Sequence, residues 1–114
     1  MISLFEDPEQ VQQVAAWVGD WHGYVVQLLD ANGSPIDITT GTLSATFTNI
    51  ASGAEYTFPS GSITLTKSFA SQGVITVLNP AAYPSAAMVR FTIAFTVGTV
   101  VRRFGPLEFE ILAP

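Results

Sequence analysis

The chain has no cysteine and a single histidine, His22, in 114 residues. The missing thiols exclude disulfides and thiolate metal sites, and they leave the redox compartment unread. One histidine leaves little for nucleophilic catalysis. The serines are many, but none stands on a strand-to-helix elbow, and the carboxylates near His22 are only its neighbours in a linker. His22 therefore reads as a solvent-facing or interface residue. No catalytic residue, metal site or cofactor is expected, and the chain is not read as an enzyme.

Positive charge is equally scarce. Four Lys and Arg stand against nine Asp and Glu, for a net charge of −5. Phosphate backbones need a basic stripe, so nucleic acid is not an expected partner. Arg102 and Arg103 are adjacent, but on a strand neighbours point to opposite faces and make no patch. No apolar run reaches the ~18 residues of a membrane span. The apolar stretch Val97–Val101 is interrupted by Gly98 and followed by the two arginines. A membrane partner is likewise not expected. Met1 to Glu9 has neither a basic region nor an apolar run, so no secretory leader is expected and synthesis in a cytoplasm follows.

Charged residues make up 11% of the chain, against about 25% in ordinary soluble domains. Such a surface either presents uncharged area to other chains or stays in solution through Thr, Ser and Asn. The few charges are also segregated. Glu6, Asp7, Glu9, Asp20, Asp30 and Asp37 fall in the first third; Lys67, Arg90, Arg102 and Arg103 fall in the second half. That polarity suits an acidic end of one copy meeting a basic surface of the next. Ion pairing inside one molecule explains it equally well.

What the chain does have is rhythm. Leu43–Phe47, Ile63–Phe69, Val74–Leu78 and Val89–Val97 alternate apolar and polar residues with period two, and Gly, Pro or Asn clusters separate them. Short alternating strands at near-regular spacing predict a β-sandwich or barrel. Tyr24–Asp30 alternates poorly and reads as covered on both faces. Asn32-Gly33 with Pro35 marks a tight turn. Lys67 falls on the apolar side of its strand, which places that strand near an edge. The stretch around Val89–Val97 is the longest and reads as central. A closing strand carries Leu107, Phe109 and Ile111 inward, with Glu108 and Glu110 outward. About seven antiparallel strands result.

Ahead of them, Asp7 as N-cap, Pro8 at the first helical position and apolar residues at Val11, Val14, Ala15 and Val18 predict a short helix stopped by Gly19. Too short to hold alone, it must dock on something. The organisation expected is a helical arm over 1–20 and a sandwich over 21–114.

Weaker signals have plain explanations. Asp30, Asn32 and Asp37 have some of the spacing of a calcium loop, but position twelve is Gly41, where a bidentate Glu is required. Glu108 and Glu110 share a strand face as a glycosidase pair does, yet beside no evident cleft. Trp17, Trp21, Tyr24, Tyr56 and Tyr83 offer rings for a sugar platform, of which Tyr83 reads as loop-borne. A glycan-binding module using Tyr83 and Trp21 is thus the alternative from another class.

The stretch from Asp20 to Leu112 resembles the immunoglobulin-like domains of tailed-phage tails and baseplates, above all the N-terminal domain of the baseplate upper protein family. The resemblance lies in Tyr24–Asp30, the Asn32-Gly33 turn, the Pro35-Ile36-Asp37-Ile38-Thr39 return and Thr42–Phe47. Ser62–Leu65, Gly73–Val77, Met88–Thr96 and the closing Leu107–Leu112 follow in the family's order. It implies an immunoglobulin-like sandwich and a virion structural protein of the tail or baseplate. Such a protein assembles in the host cytoplasm, binds copies of itself as a homo-oligomer and other virion proteins, and has no catalytic residues. Ala86-Ala87 replaces a glycine the family has, and the sequence ends at Pro114 before any fibre region. A capsid decoration protein of the head is therefore a second expectation. Val11, Val14, Trp17 and Trp21 are the residues expected at the protein interface, through burial worth about 25 cal/mol per Å².

Overall fold

Alternation at period two separates a buried from an exposed set along each strand, and two sheets close over the buried set. The computed structural model describes residues 2–7, 11–19, 23–56, 63–78 and 83–113. Within them run β1 (Ile2–Phe5), β2 (Gln12–Trp17), β3 (Gly23–Leu29), β4 (Thr42–Asn49), β5 (Thr64–Phe69), β6 (Val74–Leu78), β7 (Ala87–Val97) and β8 (Val100–Leu112). They form two four-stranded sheets, ordered β1-β3-β6-β5 and β2-β8-β7-β4. The fold is all-β and sandwich-like, as the alternation predicts.

One apolar cluster fills the space between the sheets. Phe47, Phe91, Phe104 and Phe109 are each no more than 2% exposed. Phe109 sits at its centre, with ring centroids 5.3 Å from Tyr24, 5.7 Å from Phe47 and 6.2 Å from Phe91. Such tilted and edge-on rings add about 0.5–1.5 kcal/mol per pair beyond the area they bury. Leu107, Phe109 and Ile111 point inward and Glu110 outward along β8, as their spacing predicts.

The predicted helix is replaced by a strand. Residues 12–17 are β2, paired in parallel with β8 from Gln12↔Leu107 to Trp17↔Leu112. Val14 and Ala16 face the same way as Phe109 and Ile111, so docking as a strand buries two apolar side chains and gives β8 backbone partners on its second side. A three-turn helix has too little hydrogen-bonding stability of its own to resist that. β1 pairs in parallel with β3, so both sheets are mixed rather than wholly antiparallel. Eight strands are described where about seven were expected.

Smaller expectations divide. β7 is interior, flanked by β4 and β8, but β8 is longer, because it runs through Gly105-Pro106 with a register shift opposite Phe91 and Ile93. β5 is an edge strand; its Lys67 reaches out to donate from Nζ to Gly41 O at 3.0 Å. β3 is not covered on both faces, since Val25 is 43% exposed. Tyr56 ties the sheets' connections together: its hydroxyl donates to Ser85 O at 2.7 Å, and its N–H to Phe47 O at 2.8 Å.

Candidate interaction surfaces

Asp30 and Asp37 are occupied with turns. Asp30 Oδ1 accepts the N–H groups of Asn32 and Ser34, both at 2.9 Å. Asp37 Oδ1 accepts the Thr39 N–H at 2.9 Å and its hydroxyl at 2.6 Å. That second pair of bonds holds the Asp37 carboxyl below its usual range. These are Asx turns, in which a side chain completes the backbone turn. Among the described residues no three metal-ligating side chains gather as they would around an ion.

One acid of the first third meets a base of the second half. Arg102 donates from Nε to Glu6 Oε2 at 2.6 Å and from Nη2 to Glu6 Oε1 at 2.7 Å. This fork joins the end of β1 to β8, and so one sheet to the other. It holds the Glu6 carboxyl below the usual carboxylate range, chiefly through the hydrogen bond, against the opposing effects of burial and of Asp30. The Arg102 guanidinium also lies 5.7 Å from the Phe104 ring centre. On the outer face of the β2-β8-β7-β4 sheet, Arg90 lies 3.9 Å from Glu108, while Arg103 and Glu110 are exposed. Glu108 thus stands beside Arg90 and Gln13, a cross-strand ionic face rather than a paired-carboxylate site.

The residues expected at an interface are dispersed by the strand geometry. Val11 is 46% and Trp17 49% exposed, whereas Val14 packs half-buried against the core. Helical spacing would have set them side by side; on a strand Val14 faces inward and Trp17 outward. Trp21 and His22 lie outside the described residues. Tyr83 is 1% exposed, its ring centre 6.4 Å from that of Phe109. It is a core residue with no ring face for a sugar, and its carbonyl accepts the Gly19 N–H at 3.0 Å. Tyr56, 6% exposed, is also core.

One surface went unnoticed in the sequence. The outward positions of the β1-β3-β6-β5 sheet carry no ionisable side chain; Lys67, the one charged residue in its strands, pairs with Ile75 on the inward side. Val25 (43% exposed), Leu78 (37%) and Phe69 (57%) stand on it, with Val74 half-buried between strands. Some of its polar groups bond within the chain: Gln27 Nε2 donates to Gln72 O at 3.0 Å, and the Ser68 and Thr76 hydroxyls share a hydrogen bond. A second exposed apolar group, Val97, Val100 and Val101, crowns the β7–β8 hairpin. The sheet face could have been found in the sequence by collecting the non-core half of each strand, all of it Ser, Thr, Gln or apolar.

No protein-family model matches the chain, and no curated protein matches it.

Proposed function

We propose that the chain is a non-enzymatic structural protein of a tailed-phage particle. In this reading it is a tail or baseplate component held in place by contacts with copies of itself and with other virion proteins. The observation that carries it is the uncharged, partly apolar outer face of the β1-β3-β6-β5 sheet, on a chain where Asp30 and Asp37 complete turns and Glu6 pairs with Arg102. Surfaces of that kind favour adhesion to other proteins over transformation of a small molecule. The sequence resemblance supplies the phage setting.

The strand order also supports an immunoglobulin-like arrangement. β3-β6-β5 and β4-β7-β8 pair antiparallel in the order of the two immunoglobulin sheets. The parallel pairing of β1 with β3 is a departure from that pattern.

The test is immunogold labelling of purified particles from the producing host with antibody against this chain. Label at the tail or its tip supports the proposal. Label spread over the head supports the decoration role instead. Protein abundant in the lysate with no label on intact particles overturns both.

A further inference from the structure

We infer that β1 and β2 together form a strap, latched by the Glu6–Arg102 fork. The two strands detach from both sheets as one unit while the other six strands stay folded, and when closed they cover the edges of β3 and β8. The strap is a property of the fold and stands or falls independently of the virion reading.

β1 is the end strand of one sheet and β2 the end strand of the other, so each is hydrogen-bonded to a single neighbouring strand. Both pairings are parallel. The remaining strands pair antiparallel throughout, as β3-β6-β5 and β4-β7-β8. Lifting β1 and β2 away breaks no pairing within that body. It also leaves the body its central rings, since Tyr24, Phe47, Phe91 and Phe109 belong to β3, β4, β7 and β8. The strap places Leu4 and Ala16 in the core, while Ile2 and Val14 pack against it only partly buried. Val11 and Trp17 are about half exposed. A segment with so few buried apolar groups opens at lower free energy than the body it rests on.

Two contacts make the pair of strands a unit. Gln12 Nε2 donates to Ser3 O at 2.5 Å, which ties β2 directly to β1. The Glu6–Arg102 fork, just past the end of β1, fastens the strap to β8, the strand on which β2 also lies. One latch thus restrains a strand in each sheet. At the far end the Val18 N–H donates to Leu112 O at 2.8 Å, and the Gly19 N–H to Tyr83 O at 3.0 Å. Gly19 has φ of +90° and open space where a Cβ would stand, so it serves as the hinge.

An open strap bares the backbone of β8 from Leu107 to Leu112 and of β3 from Val26 to Leu29. Bare edges of that kind pair with strands of other chains. The closed strap is therefore the cover that keeps an isolated copy from adhering through its own edges.

Hydrogen exchange of the full chain, followed amide by amide by NMR at pH 7 in urea below the unfolding transition, tests this. The hydrogen-bonded amides of β1 and β2 should exchange together and about tenfold or more faster than those of β7. Their rates should also rise less steeply with urea, because opening exposes less surface than unfolding. Glu6→Gln should speed β1 and β2 alike, by up to about fivefold for the loss of one exposed ion pair. Phe47→Leu, on β4 and remote from the strap, should speed β7 and leave β1 and β2 unchanged, since the body stays folded when the strap opens. Ile93→Val replaces it should Phe47→Leu fail to fold. Strap amides that follow β7 in the core variant overturn the inference. So does a Glu6→Gln effect that is absent from both strands or confined to β1.

Discussion

At the scale of the residue, Phe109 contributes most to the interior. It contacts aromatic rings from β3, β4 and β7, and it is 1% exposed. Phe109→Ala should cost about 3–5 kcal/mol through lost transfer energy and the cavity left behind. At about 4 °C per kcal/mol for a domain of this size, the melting temperature should fall by about 12–20 °C. Differential scanning calorimetry checks it; a fall under 5 °C would mean the cluster repacks freely.

The Glu6–Arg102 fork gives a second residue-scale prediction. Glu6 has a lowered carboxyl pKa in the folded chain, so its contribution is fully present above the unfolded value near 4.5 and is lost as the pH falls through the folded value. The two side chains are 30% and 35% exposed, so water screens them and the pair is worth about 1 kcal/mol or less. Glu6→Gln should therefore be less stable than wild type by about that amount at pH 7. In urea titrations the gap should start to close as the pH falls past 4.5 and vanish below the folded value.

At the scale of the element, close approaches decide which connections tolerate change. Gly73 sits between the 3-10 turn Ala70–Gln72 and β6 with φ of +69°. A Cβ there would lie 2.8 Å from both Ile36 O and Leu28 O, against backbone that cannot give way. Gly33 also has positive φ, +84°, but a Cβ there would meet nothing within 4 Å. Gly33→Ala should thus lose only the backbone preference, about 1–2 kcal/mol. Gly73→Ala should lose more than twice as much, read as the difference in denaturation midpoints.

Element type was legible wherever the chain alternates over five or more residues. β4 to β8 overlie the segments that period two marks out. The segment 11–18 was not, because Val11, Val14, Ala15 and Val18 fit a helical face while Val14 and Ala16 fit a strand face. Short runs satisfy both periods. Only an available β8 edge beside it makes the strand win, and no local pattern announces a distant edge.

At the scale of the whole molecule, the sign of the salt dependence separates the two ways this chain could self-associate. Contacts between acidic and basic ends weaken as salt is added. Contacts through the uncharged face strengthen, because salt screens the repulsion between copies of charge −5. The association constant should rise between 20 and 300 mM sodium chloride in sedimentation equilibrium at pH 7. It should rise again as the pH approaches the isoelectric point near 4.4.

The sequence alone determined composition and period: a β-rich chain with few charges, no thiols, a nearly empty catalytic inventory, and strands whose inward halves were already distinguishable. These are properties of residues and of their near neighbours, so they survive without coordinates. Tertiary structure decided which strands adjoin, that the first two join the sheets in parallel, and that Tyr83 turns inward. It also decided that Glu6 pairs with Arg102 and that the uncharged outward residues of four separate strands gather on one face. Those outcomes depend on contacts between segments far apart in the chain, where burial and charge are settled by what lies across the core or the sheet.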